Sequence, residues 1–204
     1  MNLYLTSYAS GDFIKFQRLL ENSAYRHGID KVFSYTRQDL IKTKFYRKHN
    51  TVLNFKRGGG YWLWKPYFIL KALNNIKNND ILVYSDAGIK IIGDLTPLFN
   101  IVNKKENEIL LFKANHKNSV WTKRDCFILM GCDSKKYWEG EQAGAFFQVY
   151  KKTAKSVDFV KEWLYFCQNE HILTDMPNIC GLPNLEGFKE HRHDQSILSL
   201  LAIK

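Results

Sequence analysis

Residues 80–84 read Asp-Ile-Leu-Val-Tyr, an apolar run without polar alternation, followed at once by Ser85-Asp86-Ala87-Gly88. A strand with apolar side chains on both faces has to be covered on both faces, which is the situation inside a parallel sheet. Such a sheet needs helical crossovers, so this run points to a layered α/β fold. It also places Asp86 at a strand's carboxyl end, where open α/β sheets bind their ligands.

The flanking pattern agrees. Residues 2–8 alternate as a strand, with Leu3 and Leu5 set against Tyr4 and Thr6. A helix follows whose inner face is expected to be Phe13, Phe16, Leu19, Leu20 and Ala24, with Gly28 ending it. Lys31–Thr36 is a second strand and 38–57 is weakly helical. Pro66 suits a first helical turn, and Ile69, Leu70, Leu73 and Ile76 continue that helix. Further strands are expected at 109–113, 127–131 and 144–150. Thr153 caps a helix whose inner face is Val157, Val160, Leu164 and Cys167, and Asp194 is placed to cap the last helix. No linker rich in Ser, Gly or Pro divides the 204 residues, so one domain over 1–204 is expected, with excision from a longer protein left open.

The formal net charge of +10 favours anionic partners, including phosphate-bearing small molecules. Neither a basic stripe nor a recognition motif is visible, so nucleic acid is not expected as a partner. The four cysteines contain no Cys-x-x-Cys pair, and Cys167 reads as a buried free thiol. No run of 18 apolar residues exists, so no transmembrane segment is expected and the location is read as cytoplasmic.

Gly58-Gly59-Gly60-Tyr61-Trp62-Leu63-Trp64-Lys65-Pro66, then a helix, then the run ending in Asp86-Ala87-Gly88, resembles a recurring signature of GT-A glycosyltransferases. Glu190-His191-Arg192-His193-Asp194-Gln195 at the far end resembles it too, and Trp121–Asp125 and Gln142–Phe147 look similar to acceptor and donor-sugar segments. The resemblance runs from 3 to 200 and is nearest to transferases of bacterial surface polysaccharides and large-virus capsid glycans. It implies a GT-A (Rossmann-like) α/β fold, with a mainly parallel sheet and helices on both faces. It implies transfer of a hexose-type sugar from a nucleoside-diphosphate sugar, a UDP-sugar in the first instance, to a hydroxyl on a glycan or glycoprotein.

The same resemblance implies site roles. Thr6, Ser7 and Tyr8 would face the nucleoside, Lys65 and Asp86 the diphosphate, and Trp62, Gln142, Ala143, Gly144 and Arg192 the sugar or acceptor. A divalent metal, Mn²⁺ or Mg²⁺, would be held by Asp86 with His191. The family's Asp-x-Asp motif is a departure here, because Gly88 stands where the second aspartate belongs. Asp194 is the candidate general base or a sugar contact, with Asp125, Glu141 and Glu190 competing for the base role. Two other classes are weighed against this. A metal-dependent phosphoesterase or nuclease would use Asp86, His191, His193 and Asp194, but two-metal hydrolysis needs more clustered acids than Ser85-Asp86-Ala87-Gly88 offers. A non-catalytic carbohydrate-binding module would use the aromatics and lysines.

Overall fold

The computed structural model describes residues 1–104 and 106–204. Among the described residues five strands form one sheet in the order β2-β1-β3-β5-β4, with β1 Leu3–Ala9, β2 Lys31–Thr36, β3 Ile81–Ser85, β4 Ile109–Lys117 and β5 Glu141–Lys151. β1 pairs in parallel with β2 on one side and with β3 on the other. β5 runs antiparallel to β3, from Ile81↔Lys151 to Ser85↔Phe147. The chain divides into two compact units, each made of three segments: 1–50, 64–111 and 146–160 in the first, and 51–63, 112–145 and 161–204 in the second.

In the first unit all five residues of β3 are buried, as its unbroken apolar run requires. Leu5, Ile81, Val83 and Val149 join Leu20, Ala24, Ile29, Phe99 and Val102 in one core cluster. The helix Trp64–Asn74 buries Phe68, Ile69, Ala72 and Leu73. Its Pro66 lies in the first turn, where a missing N–H leaves no helical hydrogen bond unmade.

Three expectations are corrected. The helix Phe13–Arg26 buries Gln17, Leu20, Ser23 and Ala24, while Phe13, Phe16 and Leu19 are exposed at 58%, 41% and 57%. Polar partners turn this helix: the Gln17 amide donates to Ser7 Oγ and to the Tyr35 carbonyl, each at 3.0 Å, and Ser23 Oγ accepts from the Ile91 N–H. The run at 127–131 is not a strand: its first three residues end a short helix, Arg124–Leu129, because four apolar residues and a glycine carry no period that separates the two states. Asp194 is the first residue of the helix Asp194–Ile203, with His193 as its cap. Segment 38–57 resolves into short helices, among them Arg37–Ile41, Lys44–Lys48 and Asn50–Leu53. Cys167 is buried and its sulfur is in no disulfide, and Thr153 Oγ1 accepts from the Ser156 N–H at 3.2 Å, as a helix cap does.

The triple glycine belongs to the second unit. Gly58, Gly59 and Gly60 have φ of 56°, 57° and 102°, and a Cβ on Gly60 would sit 2.6 Å from Leu53 Cα. Left-handed backbone and that close approach together restrict position 60 to glycine. No helix among the described residues is long and apolar enough to cross a membrane.

Candidate functional site

Parallel pairing of β1 with neighbours on both sides creates a switch point between β1 and β3, where consecutive crossovers leave in opposite directions and open the sheet's carboxyl edge. Thr6 is level with Tyr84 in the β1–β3 ladder. Two residues further along each strand stand Tyr8 and Asp86. The first unit therefore brings Thr6, Ser7, Tyr8, Lys65 and Asp86 to this one edge.

Asp86 is fixed by its backbone, whose N–H donates to the Phe146 carbonyl at 2.8 Å. Its Oδ1 accepts the Tyr84 hydroxyl at 2.5 Å and lies 3.2 Å from Lys65 Nζ. The Lys65 side chain is 3% exposed, against 37% for that of Asp86. A buried ammonium is stable only with a paired anion or equivalent acceptors. Here it also sits 5.4 Å from the Tyr84 ring centroid and 5.8 Å from that of Trp64. Sequence reasoning flagged Lys65 and Asp86 separately but missed Tyr84, the strand residue that holds the carboxylate.

Thr6 and Ser7 are buried, with Thr6 Oγ1 donating to the Phe33 carbonyl and Ser7 Oγ accepting from Gln17. Tyr8 stacks on Trp64 at 4.1 Å between ring centroids. Burial raises its phenol pKa, opposed by the neighbouring Arg37 charge.

The second unit holds the remaining candidates. Gln142 is buried, its amide donating to Asn118 Oδ1 and Thr122 Oγ1 and accepting from Gln195. Ala143 N–H donates to Ser199 Oγ at 2.8 Å, and Gly144 is buried beside it. The Arg192 guanidinium lies 4.1 Å over the Trp121 ring and 3.0 Å from Glu190. Asp194 is 3% exposed, and its carbonyl accepts the Trp163 indole N–H.

His191 and His193 are both buried in neutral-favouring surroundings. His191 Nδ1 accepts the Lys123 N–H at 3.3 Å, and Nε2 donates to the Ile172 carbonyl at 2.8 Å. His193 Nε2 accepts from Arg57 Nε at 2.8 Å, so its Nδ1–H donates to the Leu173 carbonyl. Trp62 stacks near His193 at 5.7 Å. Arg57 also meets Glu190 at 3.2 Å and Asp175 at 3.6 Å. Arg57 and Asp175 carried no sequence signal, since a lone arginine and a lone aspartate look like solvated surface. Asp125 is buried and accepts the Ile179 and Cys180 N–H groups; burial pushes its pKa up, but those hydrogen bonds and Lys123 bring it below the ordinary carboxylate value. It pins a loop and is closed to solvent. Glu141 pairs with Lys113 at 2.6 Å.

A divalent cation does not fit this donor set as it stands. Among the described residues no three His, Cys, Asp or Glu side chains are grouped to hold a metal ion. Asp86 Oδ1 already serves Lys65 and Tyr84. Both His191 nitrogens have internal partners. Two like unit charges ~4 Å apart at an effective dielectric of ~20 repel by about 4 kcal/mol, and a divalent ion beside an ammonium doubles this.

No protein-family model matches the sequence, and no curated protein matches it. Solved structures do. WbbM, a bifunctional glycosyltransferase in its apo form, superposes with a TM-score of 0.55 at 11% identity, covering 98% of this chain and 37% of its own. The apo form of mouse xyloside xylosyltransferase 1 gives a TM-score of 0.53 at 9% identity, covering 100% of this chain and 82% of its own. The chain has the GT-A fold. Within this GT-A fold, Asp86 directly follows β3 at the switch point, and the chain spans little more than a third of WbbM.

The histidines are expected to make this fold acid-sensitive. Burial lowers the His191 pKa well below 6.5, with the His193 charge adding to it, and burial likewise lowers that of His193. The unfolded chain then binds more protons than the folded one below about pH 6.5, so stability is full above that pH and falls as the solution is acidified. Each unit of depression is worth about 1.4 kcal/mol once both states are titrated. Urea midpoints at pH 7.5, 6.5 and 5.5 should fall steadily over the last two, before carboxylates titrate. A flat profile would show that these rings are not held neutral.

Proposed function

We propose that the chain transfers a sugar from a nucleoside-diphosphate sugar, a UDP-sugar in the first instance, to a hydroxyl on a glycan or glycoprotein. The observation that carries this reading is the Lys65–Asp86 pair at the switch point of a GT-A sheet. A buried, fixed ammonium there meets the charge that develops on a departing diphosphate, and preorganised charge of that kind is the strongest general means of lowering such a barrier. Asp86 is the more exposed partner and presents the rest of its carboxylate to the donor's hydroxyls. The end of β1 at Thr6–Tyr8 lies beside it for the nucleoside.

In the transfer, the acceptor oxygen forms a bond to the sugar's anomeric carbon as the bond to the diphosphate oxygen breaks. The electron pair leaves with the diphosphate, opposite Lys65. The acceptor proton goes to a carboxylate, for which Asp194 is proposed, while Trp62, Gln142, Ala143, Gly144 and Arg192 shape the sugar and acceptor side. Asp125 is less suited to the base role, since its carboxylate is occupied by the Ile179 and Cys180 N–H groups. A manganese or magnesium ion brought to Asp86 by the donor is the competing proposal for charge neutralisation.

The test is slow hydrolysis of a panel of UDP-, GDP- and dTDP-sugars, read as release of the nucleoside diphosphate. One donor class should be hydrolysed, and Asp86→Ala should reduce that rate at least tenfold with an unchanged circular dichroism spectrum. Oligonucleotide cleavage with no sugar-nucleotide turnover would instead favour the nuclease reading.

A further inference from the structure

We infer that Lys65 takes the place of a divalent cation, so that this site binds the diphosphate of a nucleotide without a metal ion. This rests on the sugar-nucleotide reading and goes beyond it, because it states which cation meets the phosphates.

Three observations converge. The ammonium is resident and enclosed: Lys65 is 3% exposed, Nζ lies 3.2 Å from Asp86 Oδ1, and the rings of Tyr84 and Trp64 lie within 5.4 and 5.8 Å of it. A cation already desolvated and held in position loses little freedom when an anion arrives. The carboxylate is committed: the oxygen that faces Lys65 also accepts the Tyr84 hydroxyl at 2.5 Å, so a metal entering on that oxygen would displace two partners. The second carboxylate that would offset a divalent charge is absent, although there is room for one. Position 88 is glycine without a left-handed φ, and a Cβ there would meet nothing within 4 Å. One carboxylate with one ammonium is neutral as a pair, and the Arg37 charge beside Tyr8, with the chain's net charge of +10, supplies the field that draws an anion in.

The experiment uses UDP as probe and calorimetry as readout, in EDTA and in manganese, on the wild type and three variants. For the wild type the dissociation constant should change by less than threefold between the two conditions. Lys65→Met should weaken binding at least tenfold in EDTA, whereas Lys65→Arg, which keeps the charge, should stay within tenfold of the wild type. Lys65→Met combined with Gly88→Asp exchanges the ammonium for a second carboxylate, and its binding should become manganese-dependent. UDP binding by the wild type that is lost in EDTA and restored by manganese would overturn the inference while leaving the sugar-nucleotide reading intact. An absence of binding in both conditions, for UDP and for the sugar nucleotides of the hydrolysis panel, would overturn both. If Lys65→Met fails to fold, the wild-type comparison and Lys65→Arg still decide the matter.

Discussion

Asp194→Asn is expected to lower turnover by about 10²–10⁴ while leaving the affinity for the sugar nucleotide unchanged, the signature of losing a positioned proton acceptor. Asp194 opens the helix Asp194–Ile203 and is held from behind by the Trp163 indole on its carbonyl, so its position is set by buried structure. Asparagine preserves size and keeps one acceptor oxygen, and it removes the basicity together with the negative charge. The alternative role is electrostatic. An acid in a first helical turn offsets the helix's positive end by about 0.3–1 kcal/mol. Steady-state kinetics and thermal unfolding on the same variant separate the two. A lower kcat with unchanged KM and melting temperature assigns the base. An unchanged kcat with a slightly lower melting temperature leaves Asp194 a helix-end acid, and Glu190 or Glu141 would inherit the role.

Trp163→Ala should produce one of the largest losses of stability available from a single side chain among the described residues. Trp163 is 0% exposed and heads the large, fully buried side chains. Removing a buried indole costs about 3–5 kcal/mol through lost burial and the cavity left behind. For a domain of this size each kcal/mol moves the melting temperature by about 2–4 °C, so calorimetry should register a drop of about 6–20 °C. Trp163→Phe refills most of the volume but strands the Asp194 carbonyl, at about 1–3 kcal/mol. If Asp194 is the base, this variant also lowers kcat, because the backbone that carries the carboxylate loses its anchor. A Trp163→Phe enzyme with wild-type kcat would show that this anchor has no part in turnover.

What could be read without coordinates depended on local signals. The unbroken apolar run at 81–84 made β3 a strand buried on both faces, and its end necessarily carried Asp86 to the sheet's edge. The triple glycine announced a loop that other residues could not follow, and Gly60 meets both left-handed backbone and the Leu53 main chain. Periodicity failed where polar contacts outweighed it. The apolar stripe Phe13, Phe16 and Leu19 points to solvent because Gln17 and Ser23 have partners in the core, and apolarity alone could not weigh those hydrogen bonds.

The sequence by itself determined the α/β class, the order of the first strands and helices, and that Asp86 follows the end of β3. Only the tertiary structure decided that Lys65 neutralises Asp86. It alone joined Arg57 to His193 across 136 residues and set Asp125 to pin a distant loop. The physical reason lies in the range of the forces involved. Backbone sterics and the burial of apolar faces impose periods of 2 and 3.6 residues that any short window displays. A buried charge, by contrast, is stable only opposite a partner, and which partner it meets depends on strand order and helix rotation, which no window contains.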